Sequence, residues 1–211
     1  MTSARKQQTQ RLEMAQAAAR IMVEGGIRDF RFAKQKAAEH LGINPRNSVL
    51  PKNREIEAAT AEYQRLFGGE EQAAALYRMR QTARQAMQFF ADFNPRLVGE
   101  VLSGTAGPYT PICLHLFADQ PEAMDMFLGD NGIPFEIVER RFKFNGGQTV
   151  FHPTFCFMAG DDRIEATVFG VADLRQAPTS LVDGTSMSRA TLAEVEALLK
   201  TGDEVDRTSQ A

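Results

Sequence analysis

Between Arg11 and Glu24 the apolar residues Leu12, Ala15, Ala19, Met22 and Val23 recur every three or four positions in a background of Ala, Gln and Arg. That spacing puts them on one face of a helix, and the background residues lose little freedom in a helix. Gly25-Gly26 stops it. A second helix is predicted over Asp29–His40. A third is predicted over Asn53–Phe67, with Asn53 as N-cap and Gly68-Gly69 behind it. A fourth runs from Glu70 to Phe90 with Leu76, Met79, Met87 and Phe90 inward, and Asn94-Pro95 ends it because proline disfavours helix in the residue before it. The pattern gives a helical region over residues 1–93.

After Pro95 the period changes. Val98–Leu102 and Ile112–Phe117 are short apolar runs of strand type. Pro121–Asn131 has Met124, Phe127 and Leu128 on one helical face. Pro134–Phe144 and Val150–Met158 alternate aromatic and polar residues around the turn Asn145-Gly146-Gly147, which reads as a hairpin. Gly160-Asp161-Asp162 turns the chain into a further strand, Arg163–Phe169. A loop rich in Pro, Ser, Thr and Gly spans Asp173–Ser188, a last amphipathic helix spans Thr191–Lys200, and the polar residues 201–211 read as a disordered tail. The expected fold is α+β: an N-terminal helical region followed by a mixed or antiparallel sheet domain over residues 94–200.

Composition adds two constraints. No apolar run is long enough to span a bilayer, and the polar N-terminus lacks the apolar core of a signal peptide. With two cysteines this fits a reducing cytoplasm and no membrane partner. Charge is uneven. Residues 1–93 hold 15 basic and 10 acidic side chains, and residues 94–211 hold 9 and 17. Such a split suits either a polyanion bound to the first half or attraction between the halves. The basic residues of the first half form no dense cluster.

The chemistry-bearing stretch is Leu97–Ala106 followed by Pro111–Asp119: a strand, a Ser103-Gly104 turn, a loop and a second strand. A Gly-Ser turn offers backbone amides to phosphate. A strand behind it can present residues two apart to one face. Val98–Phe117 resembles the small nucleotidyltransferase (polymerase-β-like) superfamily in order and spacing. The resemblance implies that Ser103, Gly104 and Thr105 hold phosphate. It puts Cys113 and His115 at the two metal-binding acid positions of the strand Leu114-His115-Leu116-Phe117, and Glu165 at the third. It further implies a nucleotide ligand and a Mg²⁺ or Mn²⁺ cofactor, with His115 and Glu165 lining the site. Cys and His offer soft donors where Mg²⁺ requires oxygen, so metal-dependent transfer is in doubt from the sequence itself. Gly25–Asp29, Ala37–Gly42, Glu55–Glu57 leading to Tyr63–Phe67, and Leu114–Phe117 also resemble a group of bacterial nucleotidyltransferase-like proteins, which brings no activity with it.

Three other constellations bear on function. Cys113 and His115 lie two apart, and His152 and Cys156 four apart, so two neighbouring strands would present two sulfurs and two nitrogens to a zinc ion. The bland alternative is a pair of buried small hydrophobes. Gly26–Ile43 resembles the start of a helix-turn-helix, with Arg46, Lys52 and Arg54 placed for phosphate contacts to nucleic acid within residues 28–54. Against a recognition helix stand Pro45 and Pro51. In the long loop, Arg175 and Arg189 are candidates to neutralise a ligand phosphate. The alternatives to a nucleotide-binding domain are thus a nucleic-acid-binding regulator and a non-catalytic interaction protein. The sequence leaves the oligomeric state open.

Overall fold

The structure, a computed structural model, describes residues 2–44, 49–107 and 110–209, of which 2–4, 6 and 201–209 by backbone alone. The chain separates into two compact units: residues 1–73 with 181–184, and residues 74–180 with 185–211.

The first unit is helical. Helices α1 (Thr2–Gly25), α2 (Phe30–His40) and α3 (Asn53–Phe67) enclose Met14, Ala15, Ala18, Ala19, Ala33, Ala37, Ala38 and Ile56. Six of these eight are alanines, so the helices approach closely around two larger side chains. Asp29 caps α2, its carboxylate accepting from the Arg31 and Phe32 amides. The N-cap of α3 is Lys52 rather than Asn53, because Glu55 reaches back to accept from the Lys52 amide at 2.7 Å. The same Glu55 oxygen accepts from Arg11 Nε and Nη2 at 2.9 and 2.6 Å, which ties α1 to the start of α3. Asn53 is occupied instead in donating to the Leu181 carbonyl. Of the basic residues proposed for nucleic acid, Lys52 and Arg54 are exposed, and Arg46 lies outside the described residues.

The second unit is α+β. Helix α4 (Gly69–Phe89) crosses the division, which falls between Ala73 and Ala74 and not after Phe93. The reason is burial: Met79, Ala83, Ala86 and Met87 of α4 belong to the core of the sheet. A 3-10 turn (Ala91–Phe93) leads to strand β1 (Arg96–Val98). There the predicted strand Val98–Leu102 fails. Gly99 adopts φ 74°, ψ −152°, a conformation essentially confined to glycine, and turns the chain into the one-turn helix α5 (Glu100–Ser103). Strand β2 (Ile112–Phe117) follows, then α6 (Glu122–Asp130), β3 (Glu136–Lys143), β4 (Thr149–Ala159), β5 (Asp162–Phe169), a 3-10 turn (Val171–Arg175) and α7 (Leu192–Ser209). The last helix continues past the Thr201 limit expected from composition. Residues 210–211 lie outside the described residues.

The five strands form one mixed sheet in the order β1-β2-β5-β4-β3, with β2 and β5 parallel and the other neighbours antiparallel. Alternation assigns the faces. Ile112, Leu114 and Leu116 of β2, Phe155 and Phe157 of β4, and Ile164, Ala166 and Val168 of β5 join the core shared with α4 and α6. Cys113, His115, Phe117, Glu165, Thr167 and Phe169 face the other way. Pro153 sits where the β4–β5 ladder ends, so its missing amide leaves no gap between those strands. Among the described residues no helix is long and apolar enough to cross a membrane.

Candidate functional site

The second face of the sheet gathers most of the residues singled out from sequence. Register sets them in rows. Cys113 pairs with Glu165, and Glu165 with Cys156. His115 pairs with Thr167, and Thr167 with Thr154. Phe117 pairs with Phe169. Glu165 is buried, at 8 % exposure, and is held by two cations. Arg140 Nη2 donates to its Oε2 at 2.5 Å, and Arg163 Nε lies 3.5 Å from Oε1. Both guanidiniums are half exposed. Neither arginine stood out in the sequence; the signal was the alternation that aligns Arg140 of β3 with His152, on the face of β4 that carries Thr154 and Cys156.

Beside this row, His115 is 2 % exposed and accepts at Nδ1 from Arg189 Nε at 3.1 Å. Arg189 also donates through Nη1 to the Asp173 carbonyl at 2.8 Å, and its guanidinium stacks 5.0 Å from the Phe117 ring and 5.3 Å from Phe169. Phe142 and His152 complete the aromatic wall, the His152 ring 4.3 Å from Phe169. Burial, reinforced by the Arg189 charge and by His152, holds the His115 pKa well below the ordinary imidazole value. Burial also lowers Arg189 to about 10, against the opposing pull of Asp173. Arg189 therefore stays charged at neutral pH and His115 stays neutral, with its proton on Nε2 because Nδ1 is the acceptor. That tautomer commits the one lone pair a general base would use.

A pH dependence follows. His115 is neutral in the folded chain, whereas an unfolded histidine takes up a proton near pH 6.5. Its contribution is complete above that pH and is lost as pH falls below it, by about 1.4 kcal/mol per unit until the folded pKa is reached. His152, lowered mainly by burial, acts in the same direction. Carboxylates of ordinary pKa enter only below about pH 4.5, so the windows separate. Thermal melts from pH 8 to pH 5 should show a falling Tm in the native chain and a flatter one in His115→Gln. Equal slopes would contradict this placement of the histidine.

The predicted phosphate turn is arranged differently from the expectation. Ser103 and Gly104 form the C-terminal end of α5, not a helix start. The Ser103 amide donates to Gly99 O, and the Gly104 and Thr105 amides both donate to Glu100 O, at 2.9–3.0 Å. No amide of the three is left for phosphate, and the Ser103 and Thr105 hydroxyls bond each other at 2.8 Å. Arg175 is exposed on the 3-10 turn after β5.

The four proposed zinc ligands do not meet. β5 lies between β2 and β4, so Cys113 and Cys156 flank Glu165 about two strand spacings, ~9.5 Å, apart. Zinc–sulfur bonds of about 2.3 Å cannot bridge that gap. The cysteine thiols point to the carbonyls of Pro111 and Thr154. Among the described residues no three His, Cys, Asp or Glu side chains are placed to hold a metal ion. Mg²⁺ or Mn²⁺ also finds no matching donor set at Cys113, His115 and Glu165. The first two are soft donors, and Glu165 is already neutralised by two arginines.

Comparison with protein-family models, with curated proteins and with solved structures found no match.

Proposed function

We propose that the second unit is a nucleotidyltransferase-like domain that binds a nucleotide through arginine side chains and carries out no metal-dependent transfer. The observation that supports this reading is the Glu165 row. Cys113 and Glu165 stand side by side on parallel strands with His115 one step along on the same face, and these are the residues that the sequence resemblance assigns to the three acid positions. The positive charge beside the remaining carboxylate comes from Arg140 and Arg163. Guanidinium groups match phosphate oxygens in planar, bidentate fashion, so they can take over the charge neutralisation that a divalent ion gives a triphosphate. They cannot activate an attacking hydroxyl, and His115 has its lone pair committed. Binding without turnover is the chemistry left to the face.

Calorimetric titration with the four common nucleoside triphosphates, in EDTA and again with Mg²⁺, tests the reading. Binding of at least one triphosphate with the same affinity in both buffers is expected. No binding to any of them would overturn it.

A further inference from the structure

The sheet has two edges, and they differ. The β1 edge is closed by Ala190, which exchanges both backbone hydrogen bonds with Leu97 at 2.8 and 2.9 Å. The β3 edge is open. Every residue of β3 is exposed except Phe142, which is partly buried. Phe144 donates to Gln148 O, so by alternation the backbone groups of Ile137, Glu139, Arg141 and Lys143 point away from β4. Among the described residues only one of these outward groups is engaged, the Lys143 carbonyl, which accepts from the Thr179 amide. Ile137 and Val138 add exposed apolar surface to the strand. Charged residues commonly guard such an edge. Here their order also makes the strand complementary to itself.

We propose that β3 pairs antiparallel with β3 of a second copy of this chain, about a two-fold axis at Val138, to give a continuous ten-stranded sheet. Three registers are open to a two-fold edge pairing around the middle of the strand. Centring on Glu139 sets Glu139 against itself. Centring on Arg140 sets Ile137 of the second copy beside Lys143, whose outward carbonyl Thr179 already occupies. Centring on Val138 avoids Thr179 and sets Glu136 opposite Arg140 twice. Unlike charges directly opposite stabilise a ladder and like charges oppose it. In that register Ile137 and Glu139 exchange paired backbone bonds on each side of the axis, and Val138 meets Val138 at the close, non-hydrogen-bonded position. Arg140 gives one Nη to Glu165 and has further N–H donors, enough to meet Glu136 of the second copy as well as a ligand oxygen.

The axis position makes the test specific. Cα atoms in a close antiparallel pair lie about 4.5 Å apart, within the disulfide range of about 4.4–6.8 Å. Two copies of residue 137 are offset along the strands to roughly 8 Å, beyond that range. Sedimentation velocity of the full chain should show a concentration-dependent dimer, and Glu136→Lys should weaken it at least tenfold. Under mild oxidation Val138→Cys should cross-link into a dimer, while Ile137→Cys and the native chain with Cys113 and Cys156 should not. Far-UV circular dichroism checks that each variant is folded. A folded native chain that stays monomeric at every concentration would overturn the proposal. So would a dimer in which Val138→Cys does not cross-link, or in which Ile137→Cys does so as readily.

Discussion

Replacing Phe90 with alanine is expected to cost the second unit about 3–5 kcal/mol, the range for truncating a buried aromatic ring. Phe90 has no exposed surface and stands just past the end of α4. Its ring meets Phe89, Phe127 and Phe157 at centroid distances of 4.9, 5.8 and 5.9 Å, and Phe93 at 6.4 Å. It therefore joins α4, the 3-10 turn, α6 and β4 at one point. The surrounding rings are rigid and belong to four different elements, so the cavity cannot collapse cheaply. Total stability of a domain is about 5–15 kcal/mol, so one such loss is a large fraction of it. The chain has no tryptophan, which makes circular dichroism in urea the suitable probe. A lowered midpoint with an unchanged slope is expected. A loss under 1 kcal/mol would mean that the ring network repacks.

The second large effect is at Arg189. Truncation to alanine leaves the buried acceptor His115 Nδ1 without its donor and takes one of two donors from the half-buried Asp173 carbonyl, which keeps the Gln176 amide. The unsatisfied His115 nitrogen costs about 1–3 kcal/mol, and the stacking on Phe117 and Phe169 is lost as well. A total of roughly 3 kcal/mol is expected. Lysine should not rescue it, because its single ammonium cannot donate to His115 and to Asp173 in the directions of Nε and Nη1. Arg189→Ala should also move the His115 titration back up toward its ordinary value, since the neighbouring charge is one cause of its depression. The acid-side loss of Tm would then be reduced. Full rescue by lysine, or an unchanged acid limb, would show that the guanidinium only fills space.

Much of the secondary structure was legible because the hydrophobic period was clean. The apolar run of β2 and the amphipathic spacing of α2 and α3 gave those elements to within a residue. The β1–α5 segment was not legible. Val98-Gly-Glu-Val-Leu102 has strand composition, and only the backbone angles of Gly99 turn it into a helix. The unit boundary escaped for a tertiary reason: α4 has an unbroken helical pattern, yet its C-terminal three-quarters serve the sheet core. The zinc hypothesis assumed that the strand bearing Cys113 and His115 neighbours the one bearing His152 and Cys156. The insertion of β5 between them is a matter of strand order, which no local pattern encodes. At the candidate site, sequence picked out Cys113, His115 and Glu165, which do share a face. It linked Arg189 with a ligand phosphate, whereas the guanidinium is bound to His115 and Asp173. Arg140 was missed altogether, because its role depends on β3, β4 and β5 lying side by side.

The reading of the sheet face as an arginine-based nucleotide site is tested most directly by the calorimetric titration, extended to Arg163→Gln. Arg163 is half exposed, and its 3.5 Å contact with Glu165 is the weaker of the two. Charged hydrogen bonds of this kind are worth about 1.5–3 kcal/mol, so losing one should weaken binding roughly tenfold or more. The native chain is expected to bind a nucleoside triphosphate equally in EDTA and in Mg²⁺, Arg163→Gln to weaken the binding in both, and no pyrophosphate to appear. Binding that requires Mg²⁺, or pyrophosphate released in its presence, would contradict that reading.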